Sequence, residues 1–246
     1  MEKMYKWLDD ILKNEYKWVN NLKSKDNSSV DIMENRSCNK RVLAKRFDGD
    51  CQVYKRLVNL KHENLPVVYE AVYDEQNNKS LVVEEYIDGF SVQEQLEIGL
   101  YNQDGVAVIV TQLCDVLKLL HGMGIVHRDI KPSNIMINNY GTVKLIDFDI
   151  SRMVRENRNK DTIMMGTTGY AAPEQFGIAQ TDARTDIFAI GVVINEMLTG
   201  KHPSDCMCRG RWGRIVEKCT QTSPANRYRD VGELMEKIML YFMLSA

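Results

Sequence analysis

The feature that most constrains this chain is a change of hydrophobic period at Asp88-Gly89. Before it, Val30–Glu34, Arg41–Phe47, Val67–Tyr73 and Ser80–Tyr86 read as strands, punctuated by turn signals at Asp48-Gly49 and Asn77-Asn78. Residues 1–22 read as an amphipathic helix running into a strand. A short helix follows Asp50, a good N-cap, and runs to about Lys61 with Val53, Leu57 and Leu60 on one face. After the break, Val106, Ile109, Val110, Leu113, Leu117 and Leu120 recur at helical spacing, closed by Gly122. Residues 187–199 are apolar all round and predict a buried helix, with Asp186 and Gly200 as its caps. Asp230 and Glu233 have the spacing of a capping box for a last helix. The pattern implies an α+β chain: a small antiparallel β lobe with one helix over residues 1–87 and a larger α-helical lobe over 88–246. A ligand is expected in the cleft between such lobes.

With 246 residues the chain is long enough to bury a sizeable core. Its net charge of −2 implies no general attraction to nucleic acid or to an anionic membrane. No apolar stretch reaches the roughly 18 residues expected of a membrane span. The N-terminus carries too many charges for a secretory signal. Six cysteines without framework spacing read as free thiols in a reducing, cytoplasmic compartment.

Three motifs stand in order in the second half. His127-Arg128-Asp129-Ile130-Lys131-Pro132-Ser133-Asn134 comes first, then Asp147-Phe148-Asp149. Gly166-Thr167-Thr168-Gly169-Tyr170 leads on to Ala172-Pro173-Glu174. The set resembles the protein kinase family, from about Leu22 to Tyr228, and in style compact bacterial kinases. That resemblance implies the two-lobed kinase fold, ATP and Mg²⁺ as cofactors, and a protein serine or threonine as acceptor. Asp129 would orient the acceptor hydroxyl and take its proton. Lys131 would face the γ-phosphate as a point charge. Asn134 and Asp147 would offer oxygens to Mg²⁺. Lys45 would hold the α- and β-phosphates. Leu22, Val30, Glu84, Glu85, Ile87 and Met136 would complete the nucleotide site. Glu174 and Arg227 resemble the family's buried ion pair, and Asp186 the aspartate that braces the catalytic loop. His127 reads as a packed structural histidine. Lys131 and the Gly-Thr-x-x-Tyr segment resemble serine/threonine kinases. Thr162 is a candidate regulatory phosphate acceptor, with Arg128 as its counter-charge.

The chain departs from the family in three places. Lys23, Lys25 and Ser28 stand where a phosphate-covering loop has glycines, which let backbone approach phosphate closely. Val53 occupies the place of the helix glutamate that pairs with the strand lysine. Asp149 replaces the glycine after Asp-Phe. Strand parity puts Val82 and Glu84 on one face and Val83 and Glu85 on the other, so Glu84 is expected to replace the lost partner of Lys45. These departures keep open a rival reading, a pseudokinase that binds nucleotide or a partner as a scaffold. A small-molecule kinase is a third reading, which Ala172-Pro173-Glu174 argues against.

Overall fold

The computed structural model describes residues 2–25, 27–153, 167, 169–176 and 181–243. The chain divides into two compact units, Met1–Asp88 and Gly89–Ala246.

The first unit is a five-stranded antiparallel sheet with a helix on each face. Helix α1, Glu2–Glu15, runs directly into β1, Tyr16–Lys25. Strands β2, Ser28–Asn35, and β3, Arg41–Asp48, precede a six-residue helix α2, Gln52–Leu57. Strands β4, Val68–Asp74, and β5, Lys79–Glu85, complete the order β1-β2-β3-β5-β4. Alternation sorts the two faces of β3 and β5. Val42, Ala44, Leu81 and Val83 pack with Leu8 and Leu12 of α1. The opposite face carries Lys45, Val82 and Glu84, and α2 meets it through Tyr54.

α2 is shorter than expected. It ends at Leu57 because Val58 turns extended and pairs with Val68, while Asn59 takes a left-handed φ of 60°. Its N-cap is Cys51 rather than Asp50 and makes no side-chain cap bond. Asp50 faces Lys55 instead, at 3.8 Å.

The second unit is mainly helical. Its small sheets are β6, Gly89–Ser91, with β8, Ile135–Asn138, and β9, Val143–Leu145, and β7, Ile125–Val126, with β10, Arg152–Met153. Its helices are α3, Val92–Ile98, α4, Gln103–Gly122, α5, Ala183–Thr199, α6, Gly210–Cys219, and α7, Val231–Met243. α4 is, contrary to expectation, long and apolar enough by composition to cross a membrane. Half of its most apolar stretch is buried in this unit, where α4 packs on α5 and α7.

The predicted caps shift. Gly122 is the last residue of α4, and the left-handed turn residue is Gly124, at φ 74°. α5 starts a turn earlier than expected, capped by Asp182, whose carboxylate accepts from the Arg184 N–H at 2.8 Å. Asp186 therefore lies inside α5 and is released for another task. Gly200 closes α5 in the left-handed conformation, at φ 69°. Asp230 accepts from the Glu233 N–H at 2.9 Å, but Glu233 reaches back to the Arg229 N–H at 2.7 Å, one residue short of a closed capping box. The six cysteines are free: Cys51, Cys114 and Cys219 are buried, Cys208 is half-buried, and Cys38 and Cys206 are exposed.

Candidate active site

The second unit builds a hydrogen-bonded cluster around Asp129, on the loop between β7 and a 3-10 turn, Pro132–Asn134. Lys131 Nζ donates to Asp129 Oδ2 at 2.7 Å and to Thr167 Oγ1 at 2.8 Å. Thr167 in turn donates to Asp129 Oδ1 at 2.7 Å. Asn134 Nδ2 donates to the Asp129 carbonyl and to Oδ2, both at 2.9 Å. Charge-assisted bonds thus reach both oxygens of Asp129 and fix its plane.

The loop is held from beneath by Asp186, which α5 places fully buried. Its carboxylate accepts from the backbone N–H of His127 at 2.9 Å and of Arg128 at 2.8 Å, and pairs with His121 Nε2 at 2.8 Å. Burial alone raises its pKa, but the His121 hydrogen bond, neighbouring charge and the Arg128 N–H outweigh it, so the carboxyl sits below its ordinary value. His127 is fully buried, and burial pushes its ring pKa down. Its ring stacks edge-on to Phe148 at 4.9 Å, as a structural histidine does. Arg128 and Asp147 both take left-handed φ angles, 71° and 67°. Such non-glycine strain concentrates at functional sites. Position 149 needs no left-handed φ, so an aspartate is tolerated there, its side chain exposed. Arg128 is buried, and burial followed by the charge of Arg152 depresses its pKa.

In the first unit, Lys45 Nζ lies 2.8 Å from Glu84 Oε1 and donates to the Tyr54 hydroxyl at 3.1 Å. Both charged side chains are under 10% exposed. The remaining candidates lie as follows. Leu22 is exposed on β1, and Val30 on β2 pairs with Lys45 across the sheet. Glu85 ends β5 and accepts from the Val67 N–H at 3.0 Å, and Ile87 is buried just beyond it. In the second unit, Met136 on β8 is half-buried. Thr162 lies outside the described residues.

A match to the protein kinase domain spans residues 21–231. The chain belongs to the protein kinase family. Curated relatives include a probable serine/threonine-protein kinase PknB of Corynebacterium glutamicum, 37% identical over 64% of this chain and 25% of the relative. PknB of Mycolicibacterium smegmatis is 32% identical over 74% and 30%, respectively. PknL of Mycobacterium tuberculosis is 32% identical over 71% and 45%. The chain therefore spans a quarter to under half of the length of these relatives.

Further kinase features fall into place. The two units are the antiparallel β part and the helical part of this α+β family fold. Glu174, on a 3-10 turn at Pro173–Phe176, and Arg227 form a bidentate buried pair at 2.7 and 2.9 Å. Thr185 also donates to Glu174, and Arg227 also donates to the carbonyls of Arg184, Gln221 and Thr222. Gln175 ties this segment to the catalytic loop by donating to the Arg128 carbonyl at 2.8 Å.

In the glycine-free stretch β1 and β2 pair antiparallel, Lys23 with Val30, Ser24 with Ser29 and Lys25 with Ser28, after register shifts between Trp18 and Asn20 and between Asn21 and Lys23. Asp31 anchors it, accepting from Asn21 at 2.9 Å, Trp18 at 3.2 Å, and Ser29 and Arg46 at 3.3 Å. Sequence reasoning left Tyr54, Thr167, Gln175 and His121 without roles. For Thr167 the signal was present, in the Gly-Thr-x-x-Tyr segment.

The residues present fit Mg²⁺. With Asn134 Nδ2 donating to Asp129, its Oδ1 is the oxygen that would face a cation, and Asp147 would supply a carboxylate. Among the described residues no group of three or more His, Cys, Asp and Glu is poised for a metal. Mg²⁺ suits such a sparse set, because it takes one or two protein oxygens plus phosphate and water.

Proposed function

We propose that this chain is a Mg-ATP-dependent serine/threonine protein kinase domain. The observation that carries this reading is the Asp129 carboxylate fixed by Lys131, Thr167 and Asn134. Asp129 orients the acceptor hydroxyl and takes its proton as the oxygen attacks the γ-phosphorus and the bond to the β-phosphate oxygen breaks, releasing ADP. The Lys131 ammonium, 2.7 Å from Asp129, neutralises charge on the transferring group. Asn134 and Asp147 would hold the metal, which would supply charge neutralisation on the phosphate oxygens. Lys45 holds the α- and β-phosphates. The names of the bacterial relatives support serine or threonine as acceptor. Thr162 stands in this reading as a regulatory phosphate acceptor, with Arg128 as counter-charge. Six free thiols support a reducing, cytoplasmic setting.

Incubation with labelled ATP and Mg²⁺ tests the reading. Wild type is expected to label itself, or a generic basic protein, on Ser or Thr. Asp129→Asn and Asp147→Asn are expected to lose at least about 100-fold in rate with the fold intact. Full activity in Asp129→Asn would overturn the assignment.

A further inference from the structure

We infer that Glu84, on a sheet strand, is the positioning residue that aims Lys45, with the Tyr54 hydroxyl as second support; this rests on the kinase reading. Lys45 and Glu84 sit on hydrogen-bonded neighbours, β3 and β5. Lys45 lies opposite Val82, and Leu43 lies opposite Glu84. Glu84 is therefore the diagonal neighbour of Lys45 on the same face, within reach of two long side chains. The ammonium–carboxylate distance of 2.8 Å closes that diagonal.

Stability does not explain such a pair. Its sheet neighbours are apolar: Val82 lies opposite Lys45 and Val68 opposite Glu84, both buried. Well-packed apolar residues in place of a buried ion pair are often as stable or more so. An exposed lysine would also serve the sheet at lower desolvation cost. What the pair secures is the direction of one ammonium group. α2 offers no acid for this, since Val53 fills the matching place and Tyr54 is the α2 residue that bonds Lys45. Glu84 holds the lysine from within the sheet itself. Displacement of the six-residue α2 would remove the Tyr54 contact and leave the Glu84 contact, which the sheet itself carries.

The test compares Glu84→Gln, Glu84→Asp, Tyr54→Phe and the double variant Lys45→Met/Glu84→Met. Glu75→Gln, on the exposed β4–β5 turn, is the control. Three quantities are read: kcat/KM for ATP, affinity for a fluorescent ADP analogue without turnover, and the thermal unfolding midpoint. Glu84→Gln is expected to lower kcat/KM about 100-fold and to weaken nucleotide binding. Glu84→Asp, which keeps the charge, recovers part of both losses, and Tyr54→Phe loses less than Glu84→Gln. The double variant keeps a midpoint at or above wild type while losing nucleotide affinity, which separates positioning from support of the fold. Wild-type kcat/KM and affinity in Glu84→Gln would overturn the inference and leave the kinase reading standing. A double variant far less stable than wild type would overturn it as well. If wild type transferred no phosphate but Glu84→Gln still weakened binding, the kinase reading would fall and the positioning role would stand.

Discussion

The Thr167 hydroxyl bridges the two groups that the sequence places in phosphoryl transfer, donating to Asp129 Oδ1 at 2.7 Å and accepting from Lys131 at 2.8 Å. A hydroxyl is the part required. It both donates and accepts, so it bonds the carboxylate and the ammonium at once, beside their direct contact at 2.7 Å. Thr167→Ala is expected to lower kcat about 10- to 100-fold, since misplacement of a catalytic group by an ångström costs on that order. Thr167→Ser keeps the oxygen and is expected to stay close to wild type. Steady-state kinetics on the three proteins decides it, and equal loss in both variants would point to the methyl group instead. At this scale much was legible beforehand. Asp129, Lys131, Asn134 and Asp147 sit in an ordered motif, and strand parity pointed Glu84 at Lys45. Tyr54 was not legible, because a tyrosine beside an inward valine reads as ordinary core. Asp186 was read both as brace and as cap, and its place inside α5 leaves only the brace.

Among elements, α1 contributes most beyond the motifs. Tyr5, Leu8 and Leu12 form one stripe, and the two leucines bury against Met33, Val42, Ala44, Leu81 and Val83. An Asp9–Arg46–Asp31 chain of ion pairs, at 2.9 and 3.3 Å, links the helix through β3 to the hairpin strand β2. Leu12 is 1% exposed, so Leu12→Ala is expected to cost about 2–5 kcal/mol of unfolding free energy. Trp7 is 51% exposed, and Trp7→Ala is expected to stay within about 0.5 kcal/mol of wild type. Chemical denaturation of the two variants checks both. Strands and long helices were readable from period, since burial on one face imposes it. The boundaries were less so: α2 was overextended because Leu60 keeps a helical spacing that Val58, paired with β4, does not permit.

For the molecule as a whole, buried titratable groups set the response to acid. Burial keeps the His127 ring neutral in the fold, so its folded pKa lies below its unfolded value. Below about pH 6.5 the unfolded chain takes up a proton that the folded protein refuses, and stability falls by up to about 1.4 kcal/mol per pH unit. Asp186, with its carboxyl held below the ordinary value, adds stability that is present above about pH 4 and lost as pH falls through its folded pKa. Denaturant titrations between pH 7 and 5 are expected to show the first slope in wild type and a flatter one in His127→Asn. Equal slopes would assign the loss elsewhere. The packing of His127 and the bracing role of Asp186 were legible in the sequence, but the direction of each shift was not, because it depends on the balance of burial against the partners each group meets.

The distribution of thiols has a practical consequence. Cys38 is exposed in the first unit and Cys206 in the second, while Cys51, Cys114 and Cys219 are buried. Cys208 is half-buried, and burial pushes its thiol pKa up, which slows its alkylation near neutral pH. The natural chain thus carries one readily labelled position on each unit. A donor and an acceptor dye attached there, with no substitution introduced, would form a molecular ruler between the units and report, molecule by molecule, whether their separation responds to added nucleotide.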